Sequence, residues 1–481
     1  MKLWFDPSLI LINGTWQHSA SGQSVALQDP STGKQIAQIA RGNADDIDAA
    51  VAAAHASLEG EWGKMPAFER GRILERLGKL VLEHADELAL MEAQDVGKPL
   101  QQAKNDVTAL ARYCEFYAGA ADKLMGETIP FQQGFTVYTL REPHGVTGHI
   151  VPWNYPMQII GRSVGAALAT GNACVLKPAE EACLTALAFG DLAMKAGLPA
   201  GALNVVTGLG AEAGAALSAH RGVQHLSFTG SVATGRLVQR AASENLIPVT
   251  LELGGKSPQL FFEDADLDRA LPFLVNSGIQ NAGQTCSAAS RILVHKSRFD
   301  EVTQAMAERY SALRAGPALD DLDLGPLISA RQKEIVQGYL ALAKPEQIAA
   351  RGVISESASE GGHYVAPTLL KGVHPDDRLA REEIFGPVQI LLPFEDDDEA
   401  VRIANGTDYG LVASIWSADG GRQMRLAKRL RAGQVFVNNY GAAGGVELPF
   451  GGVGHSGHGR EKGFEALYGF TSLKTVAAHH G

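Results

Sequence analysis

The sequence predicts an α/β protein with at least two domains, and three observations support this prediction. The chain has 481 residues, more than one hydrophobic core usually serves. From Gly145 onward, short apolar runs rich in β-forming residues alternate with alanine-rich helical stretches. A second alternating series begins after Gly254 and Gly255. Such alternation is typical of parallel sheets whose strands are joined by helical crossovers.

Composition narrows the classes of function. Lysine and arginine number 42 and aspartate and glutamate number 53, which gives a net charge of −11. This balance disfavours nucleic acid or an anionic membrane as the main partner. The first residues contain no apolar signal core, and no stretch reaches the apolar length of a membrane span. We therefore predict a soluble, cytoplasmic protein with no nucleic-acid or membrane partner.

The four cysteines, Cys114, Cys174, Cys183 and Cys286, are scattered and form no C-x-x-C pair. Their spacing argues against a disulfide framework and against a thiolate zinc site. We predict no bound metal, and the thiols are then available for chemistry.

The N-terminal part begins with a hairpin and continues with helices. An Asn-Gly turn between β-forming residues predicts a hairpin over residues 10–16. Asn43 can cap the helix that follows it. A longer amphipathic stretch, residues 68–93, predicts a helix that is interrupted by the Gly-Lys-Pro sequence at residues 97–99.

The first alternating series contains five apolar runs that predict the strands of a parallel, doubly wound sheet. Such sheets bind ligands outside the carboxyl ends of their strands, so the polar residues after each run are the candidates for function. The predicted strands are residues 146–151, 173–176, 203–206, 223–228 and 248–253.

The second series also contains strand-like runs, at residues 291–295 and 433–437. Residues 444–452 are a glycine-rich loop. Residues 471–476 alternate in polarity, which predicts an edge strand that needs a partner.

Polar residues follow the first two predicted strands. Asn154 lies between two prolines, where its amide could donate to a developing oxyanion, although a turn-forming asparagine is the alternative. Lys177 and Glu180 follow the second strand and could hold ribose hydroxyls. The alternative for this pair is a surface ion pair.

A Gly-Ser turn follows the fourth strand. Gly230 and Ser231 precede a helix, whose free N–H groups and dipole favour a pyrophosphate. The usual G-x-G-x-x-G is absent, and Gly208 with Gly210 forms only a loose G-x-G. An ordinary helix capped by Ser231 is the alternative.

Glu252 and Cys286 are the candidates for acid–base and nucleophilic chemistry. Glu252 lies between leucines in the fifth strand, where desolvation would raise its pKa towards that of a useful general base. Cys286 lies among small polar residues, so its thiol should be reachable. Most cysteines are structural when taken singly, and the case for a nucleophile depends on the presence of Asn154 and Glu252.

Seven short motifs occur in order along nearly the whole chain, and with this order and spacing the sequence resembles the aldehyde dehydrogenase superfamily, of the hydrolytic, non-acylating type. The resemblance implies a Rossmann-type parallel cofactor domain, an α/β catalytic domain and a small oligomerisation β-flap. The motifs are P-W-N-Y-P from Pro152, K-P-A-E from Lys177, F-T-G-S from Phe228, L-E-L-G-G-K from Leu251, G-Q-T-C from Gly283, E-E-I-F-G-P from Glu382 and P-F-G-G from Pro449.

The resemblance also implies domain boundaries and an oligomer. Residues 1–122 and 145–254 would form the NAD-binding domain, and residues 255–446 the catalytic domain. Residues 123–144 and 468–481 would form an oligomerisation sheet, so a homodimer or homotetramer is expected.

By this resemblance, the protein would oxidise a small-molecule aldehyde to a carboxylic acid through a covalent adduct on Cys286. The Cys286 thiolate would attack the aldehyde, and Asn154 with the Cys286 backbone N–H would stabilise the oxyanion. Hydride transfer to NAD would leave a thioester. Glu252 would then activate the water that hydrolyses it.

The resemblance assigns a set of cofactor contacts as well. Glu180 favours NAD over NADP, because its charge would repel the additional 2′-phosphate of NADP, although some members of the family tolerate both. The contacts are Lys177 and Glu180 to the adenine ribose, Gly230 and Ser231 to the pyrophosphate, and Glu383 and Phe385 to the nicotinamide ribose, together with Val151, Pro152, Trp153, Gly210, Phe228 and Leu253.

The sequence leaves the identity of the aldehyde open. Arg162 lies eight residues after Asn154, where succinate-semialdehyde enzymes of the family carry an arginine that binds the substrate carboxylate. Their second arginine, six residues before the cysteine, is replaced here by Gln280. An ion pair between Arg162 and a local carboxylate is therefore favoured over a semialdehyde site.

Aromatic residues suggest a different substrate. Trp153, Tyr155 and Phe450 could form a tunnel for a ring or a quaternary amine, with core packing as the alternative. Thr285 and Ser287, which flank the cysteine, are further candidates for substrate contact. Glu447 could be a second acid–base group, but a surface carboxylate is favoured.

Two rival functions differ in what they require of these residues. Dehydrogenases that acylate CoA generally lack the carboxylate at the place of Glu252, so its presence counts against them. A non-catalytic protein that retained the fold should have lost Cys286, Glu252 or Asn154, and all three are present.

Overall fold

Two large sheets and one small three-stranded sheet, flanked by helices, organise the chain. The structure is a computed structural model that describes residues 3–481, apart from the side chains of residues 442 and 443. Within that range we find no helix with the length and apolar character that a membrane crossing requires.

The strands are short, and most of them alternate with helices. They are β1 (Ile10–Ile12), β2 (Thr15–Gln17), β3 (Ser24–Gln28), β4 (Gln35–Ala40), β5 (Thr128–Ile129), β6 (Phe135–Pro143), β7 (Val146–Val151), β8 (Ala173–Pro178), β9 (Leu203–Val205), β10 (His225–Thr229), β11 (Val249–Glu252), β12 (Pro258–Phe261), β13 (Arg291–His295), β14 (Arg314–Ala315), β15 (Ile348–Arg351), β16 (Val353–Ile354), β17 (Thr368–Leu370), β18 (Val388–Phe394), β19 (Val412–Trp416), β20 (Gln434–Val437), β21 (Gly457–His458) and β22 (Thr471–His479).

The helices vary more in length than the strands. They are α1 (Ala44–Glu59), α2 (Glu61–Lys64), α3 (Ala67–Glu83), α4 (Ala85–Val96), α5 (Leu100–Ala120), α6 (Pro156–Ala169), α7 (Leu184–Lys195), α8 (Ala215–Ala219), α9 (Val232–Glu244), α10 (Leu267–Ile279), α11 (Phe299–Ala312), α12 (Ala330–Leu340), α13 (Arg378–Arg381), α14 (Asp397–Ala404), α15 (Gly420–Arg429) and α16 (Glu465–Gly469).

The first sheet has the strand order β2-β1-β9-β8-β7-β10-β11-β21. Its five central strands, from β9 to β11, are mutually parallel, and antiparallel strands close both edges. These five strands are the five predicted runs, each within two residues of its predicted ends. The predicted parallel sheet of the first series is therefore confirmed.

The predicted N-terminal elements are also confirmed. Asn13 and Gly14 join β1 to β2 with φ of 51° and 70°, the left-handed conformation that a two-residue type I′ hairpin turn requires. Asn43 caps α1, because its side chain accepts hydrogen bonds from the backbone N–H groups of Asp45 and Asp46.

The second sheet has the order β15-β17-β18-β13-β12-β19-β20 and is parallel except at β15. It contains both strands predicted for the second series, as β13 and β20. Each large sheet contributes to its own cluster of buried apolar side chains. A chain of this length needs more than one hydrophobic core, and these two clusters are its cores.

The small sheet has the order β22-β6-β5. The tail strand predicted from residues 471–476 extends to His479 as β22. It pairs antiparallel with β6 along its whole length, from Thr471 opposite Pro143 to His479 opposite Phe135. The tail strand thus finds its partner within the same chain.

One predicted helix is wrong in its extent. The amphipathic stretch over residues 68–93 forms two helices, α3 and α4, that are separated at His84. His84 has φ −103° and ψ 24°, and its ring lies 4.8 Å from that of Trp4. The spacing of apolar residues could not reveal this break, because the residues on either side keep helical spacing.

The C-terminal segment returns to the first sheet, which the sequence did not predict. β21 pairs antiparallel with β11, so that His458 lies opposite Leu251 and Gly457 opposite Glu252. A two-residue strand among glycines carries no pattern of alternation. The return matters because it brings residues near position 460 to the edge that holds Glu252.

Candidate active site

The predicted catalytic residues lie at one edge of the first sheet. β7 ends three residues before Asn154, and β11 ends at Glu252. Cys286 lies in the segment between α10 and β13. A Cβ atom added to Gly255 would lie 2.4 Å from the Cys286 carbonyl oxygen, so this segment touches the turn that follows Glu252. The two sheets therefore supply the site jointly.

Cys286 is the half-buried cysteine, whereas Cys114, Cys174 and Cys183 are buried. Its side chain packs against the apolar cluster of Leu411, Val412 and Phe450. Burial raises the pKa of the Cys286 thiol to about 12, while Arg162 lowers it and Glu252 raises it. The sulfur is reachable, but its proton must pass to a base during reaction.

Asn154 is held so that one amide hydrogen remains free. Its Nδ2 donates to the backbone carbonyl oxygen of Gln284 at 2.9 Å, and its backbone carbonyl oxygen accepts from Nδ2 of Asn281 at 3.0 Å. A side-chain amide has two hydrogens to donate, so the second is available. Because Gln284 lies two residues before Cys286, the amide is fixed relative to the sulfur.

Glu252 is a buried carboxylate with 1% of its surface exposed. Among the residues that the structure describes, neither of its carboxylate oxygens has a hydrogen-bond partner. Burial raises its pKa well above the ordinary value, Glu461 raises it further, and Arg162 and Arg460 lower it. Gly451 has φ +152°, and a Cβ there would lie 2.7 Å from Oε1 of Glu252, so glycine leaves the carboxylate its space.

Arg162 forms an ion pair with Glu461, and both side chains are buried. Glu461 also accepts a hydrogen bond from the Ser227 hydroxyl at 2.6 Å. The Arg162 guanidinium lies 5.0 Å from the ring centroid of Phe450 and 3.4 Å from the Thr229 hydroxyl. The local carboxylate expected for Arg162 is therefore Glu461, a residue that the sequence analysis did not single out.

A cavity of about 770 Å³ leads to Cys286. Its walls combine aromatic rings with amide, hydroxyl and charged groups. Those that the sequence analysis singled out are Asn154, Tyr155, Arg162, Gln280, Thr285, Cys286, Ser287, Glu447 and Phe450, and the further aromatic residues are Tyr113, Phe436 and Tyr440.

Two of the three residues proposed for an aromatic tunnel line the cavity. These are Tyr155 and Phe450, and the Tyr155 hydroxyl lies 3.1 Å from that of Thr285. Trp153 does not line it. Its ring packs edge-on against Phe385 at 5.4 Å instead.

Glu447 lies at the cavity wall as an exposed carboxylate, as favoured. It pairs with Arg112, which also pairs with Glu115 at 2.9 Å. A backbone hydrogen bond and then the Arg112 guanidinium stabilise the charged form, so the pKa of Glu447 is lowered. A carboxylate of low pKa is a poor general base near neutral pH.

A buried cluster of charged side chains packs against the Tyr155 ring. No sequence pattern indicated this cluster. Lys98 pairs with Glu92 at 2.9 Å and with Asp106, and all three side chains are buried. The Lys98 ammonium lies 3.9 Å from the centroid of the Tyr155 ring. Gln158 donates to Asp106 at 2.5 Å, which ties the cluster to the cavity.

The residues expected to hold the adenine ribose lie together at the carboxyl end of β8. Lys177 donates to Glu180 at 2.9 Å, and Glu180 accepts from the Gly210 backbone N–H at 3.2 Å. Burial would raise the pKa of Glu180, but Lys177 outweighs it and the pKa is lowered. This pair is not an exposed surface ion pair, since Lys177 is buried and Glu180 is half-buried.

The residues expected at the pyrophosphate lie where α9 begins. Ser231 caps this helix by accepting from the Thr234 backbone N–H at 3.2 Å. The Phe228 ring lies under Gly230, where an added Cβ would approach it to 2.6 Å. A cap alone does not distinguish an ordinary helix start from an anion site.

The residues expected at the nicotinamide ribose lie on the second sheet's side of the site. Glu383 accepts from the Gly255 backbone N–H at 2.9 Å, and its carboxylate would clash with any Cβ at Gly254. Burial raises the pKa of Glu383 to about 7. Phe385 has φ 56°, an uncommon conformation for a non-glycine residue, and contacts Trp153.

Over residues 3–481, no group of three or more histidine, cysteine, aspartate or glutamate side chains is arranged to hold a metal ion. The groups assembled at this edge are instead a thiol, an amide and carboxylates. They suit covalent and acid–base chemistry.

Comparisons with known proteins agree with this arrangement. Residues 16–476 match the profile of the aldehyde dehydrogenase family. The chain belongs to this family. Aldehyde dehydrogenase family 2 member B4, mitochondrial, from Arabidopsis thaliana is 44% identical over 97% of this chain and 87% of its own length. Hydroxyisobutyraldehyde dehydrogenase from Mycolicibacterium austroafricanum is 42% identical over 98% of this chain and 93% of its own.

Solved structures support the same conclusion about the fold of this aldehyde dehydrogenase. A crystal structure designated an aldehyde dehydrogenase, from Burkholderia cenocepacia, is 62% identical, covers 98% of this chain and 100% of its own, and has a TM-score of 0.98. An NAD⁺ complex of the Bacillus cereus enzyme is 38% identical, covers 99% and 97%, and has a TM-score of 0.95. The predicted family, fold class and enzyme class, an NAD-dependent aldehyde dehydrogenase that forms a carboxylic acid, are confirmed.

Proposed function

We propose that Cys286 is the nucleophile of this aldehyde dehydrogenase, that Asn154 stabilises the oxyanion and that Glu252 is the general base. The observation that supports this most directly is the position of Asn154, whose amide donates one hydrogen to the carbonyl oxygen of Gln284, two residues from Cys286, and keeps the other free. A charge that develops beside Cys286 would meet a donor that needs no rearrangement.

In the first step, Cys286 Sγ attacks the carbonyl carbon and the carbon–oxygen double bond becomes a single bond to an oxyanion. Asn154 Nδ2 and the Cys286 backbone N–H donate to this oxygen. Because burial raises the pKa of the thiol, its proton must go to a base as the sulfur attacks. Solvent that enters the cavity leading to Cys286 supplies that base and carries the proton away, so Glu252 stays available for the last step.

NAD, when bound, accepts the hydride that leaves the tetrahedral adduct, so that a thioester remains on Cys286. The residues present fit this cofactor: Lys177 and Glu180 would hold the adenine ribose, and Glu383 the nicotinamide ribose. Glu180 is ionised, since its pKa is lowered, and its charge would repel a 2′-phosphate. We therefore propose NAD as the preferred cofactor over NADP.

In the last step, water hydrolyses the thioester and releases the carboxylic acid. Glu252 would take a proton from this water. The water can approach only if there is space beside the Glu252 carboxylate that no protein group fills. The unpartnered oxygens of Glu252 and the absence of a side chain at Gly451 supply that space. Transfer of the acyl group to CoA would not need this carboxylate, so hydrolysis is favoured.

The test is a comparison of Cys286→Ala with the native enzyme, without added CoA. We expect Cys286→Ala to form no NADH from any aldehyde, while it keeps its NAD affinity and its thermal unfolding temperature. Mass spectrometry of the acid-quenched native enzyme should recover an acyl group on the peptide that contains Cys286. Normal turnover of the variant, or NADH formation that requires CoA, would contradict the mechanism.

The small sheet is the proposed site of oligomerisation. It carries exposed apolar side chains at Tyr138, Leu140 and Leu473, on strands that belong to residues 123–144 and 468–481. Tyr138 and Leu140 lie on one face of the sheet, whereas Leu473, paired with Arg141, lies on the other. Burial of either face against another copy would support a homodimer or homotetramer. The other domain boundaries, 1–122 with 145–254 and 255–446, and a cytoplasmic location stay predictions.

A further inference from the structure

Three cationic side chains line the cavity, and they differ in their partners. Arg112 pairs with Glu115 and Glu447, and Arg162 pairs with Glu461. Lys462 lines the same cavity, but no carboxylate lies within ion-pair distance of it in the part of the chain that the structure describes.

Lys462 is nevertheless withdrawn from solvent, with 9% of its surface exposed. Its ammonium donates to the carbonyl oxygen of Gly444 at 3.0 Å, which uses one of its three hydrogens. Burial lowers the pKa of Lys462 to about 8, so the group still carries its charge near neutral pH. Glu447 acts on this charge only from beyond ion-pair distance, so among the described residues no carboxylate compensates the buried cation by direct contact.

The backbone holds Lys462 in this position. Glu461, the preceding residue, pairs with Phe450 through two backbone hydrogen bonds of 2.7 and 2.8 Å. Lys462 itself has φ 62°, a left-handed conformation that lysine rarely adopts. Strained backbone of this kind persists where the surrounding structure enforces it, and such positions cluster at functional sites.

Lys462 and Cys286 both adjoin the aromatic wall that contains Phe450. The Lys462 ammonium is 5.8 Å from the centroid of the Phe450 ring, and Cys286 packs against the apolar cluster to which Phe450 belongs. Phe436 and Tyr440 extend this wall. A molecule with its carbonyl at Cys286 and its apolar body along Phe450 would direct its far end towards Lys462.

We propose that Lys462 is a specificity-determining residue that binds the carboxylate of an aldehyde substrate which carries one at the end opposite the aldehyde. This inference rests on the proposed function of Cys286. Arg162 is not assigned this role, because Glu461 already neutralises it. An aldehyde with an apolar or aromatic body and a distal carboxylate is the class of substrate that this cavity selects.

The experiment compares two probes that differ in charge and little in shape, 4-formylbenzoate and 4-formylbenzamide. We expect Lys462→Met to lower the ratio of kcat/KM for the carboxylate over the amide at least tenfold, through KM and not kcat. Lys462→Arg should keep most of the ratio. Lys296→Met, which removes an exposed lysine outside the cavity, is the matched control and should leave the ratio unchanged.

Several results would overturn the proposal. These are an unchanged ratio in Lys462→Met, an equal loss with both probes, a native enzyme that oxidises the amide but not the carboxylate, or a larger fall in the ratio for Arg162→Met than for Lys462→Met. Binding of terephthalate, measured by calorimetry, gives a reading that does not depend on turnover, and Lys462→Met should weaken it at least tenfold relative to the uncharged terephthalamide. Failure of the proposed function would instead abolish NADH formation from both probes and leave this difference in binding intact.

Discussion

The two sides of the candidate site are built in different ways. On the sheet side, Asn154, Lys177 and Glu252 each lie at or just after the end of a parallel strand, so the topology alone brings them to one edge. On the cavity side, the contacts join segments that are far apart in sequence, such as Ser227 with Glu461, 234 residues apart, and Arg112 with Glu447, 335 apart. The strand ends hold the groups that suit chemistry, and the packed segments hold those that suit selection of the substrate.

The largest expected effect concerns the sheet side. Glu252→Gln should lower kcat by about 10²–10⁴-fold with every aldehyde alike, because a general base contributes about this much. NADH should then appear in a burst of about one per active site, since hydrolysis of the thioester becomes the slow step. Rapid-mixing kinetics would measure the burst. If the loss of kcat depended on which aldehyde was used, Glu252 would also take part in substrate selection, and the two sides of the site would not have separate roles.

The same variant has a signature in pH. The pKa of Glu252 is raised, so as pH falls through it the carboxyl becomes protonated and cannot accept a proton. The rate of the native enzyme should therefore fall towards acid pH. In Glu252→Gln this acid limb should be lost, and a limb that persisted unchanged would assign it to another group.

The next effect concerns the cavity side and is a loss of stability. Arg162→Met leaves Glu461 buried without its cation, which should cost about 3–5 kcal/mol in the free energy of unfolding. The double variant Arg162→Met with Glu461→Gln should recover much of this loss. Urea denaturation would measure both, and Arg112→Met, which breaks exposed ion pairs, should cost under about 1 kcal/mol. If Arg162→Met left stability unchanged and only removed activity on semialdehydes, Arg162 would be the residue that binds the substrate carboxylate.

The smallest effect is on the choice of cofactor. Glu180→Gln removes the charge expected to repel the 2′-phosphate of NADP. The ratio of kcat/KM for NADP over NAD should rise about tenfold, which corresponds to ~1.4 kcal/mol. Steady-state kinetics with both cofactors would measure it. Glu75→Gln is a suitable control, because Glu75 is an exposed carboxylate on α3 that pairs with Lys79 at 2.7 Å. An unchanged ratio would remove Glu180 from cofactor selection.

Much of the fold could be predicted from the sequence, because strands and crossovers leave local patterns. The five parallel strands, β13 and the tail strand β22 were all visible as apolar or alternating runs. The break at His84 and the short strand β21 were not, since neither changes the local spacing of apolar residues. Local patterns therefore predicted elements well and their interruptions poorly.

The residues of the candidate site also fall into those that the sequence could predict and those that it could not. Asn154, Glu252 and Cys286 could be singled out because each is unusual for its surroundings in sequence, a polar or reactive group beside a strand end. Glu461, Lys462 and Lys98 could not, because their importance arises from what they meet in space. Charge alone offered a weak signal, since charged residues are usually solvated and these three become informative only once they are known to be buried.

Residues 457–462 complete parts of the enzyme that were translated long before them. β21 covers the open edge of β11, and Glu461 supplies the counter-ion of Arg162. A nascent chain that already contains Cys286 lacks both contacts until residues 457–462 have been made. The proposed nucleophile is therefore synthesised before its surroundings are finished, and this interval is when a growing chain is most open to oxidation or in need of a chaperone.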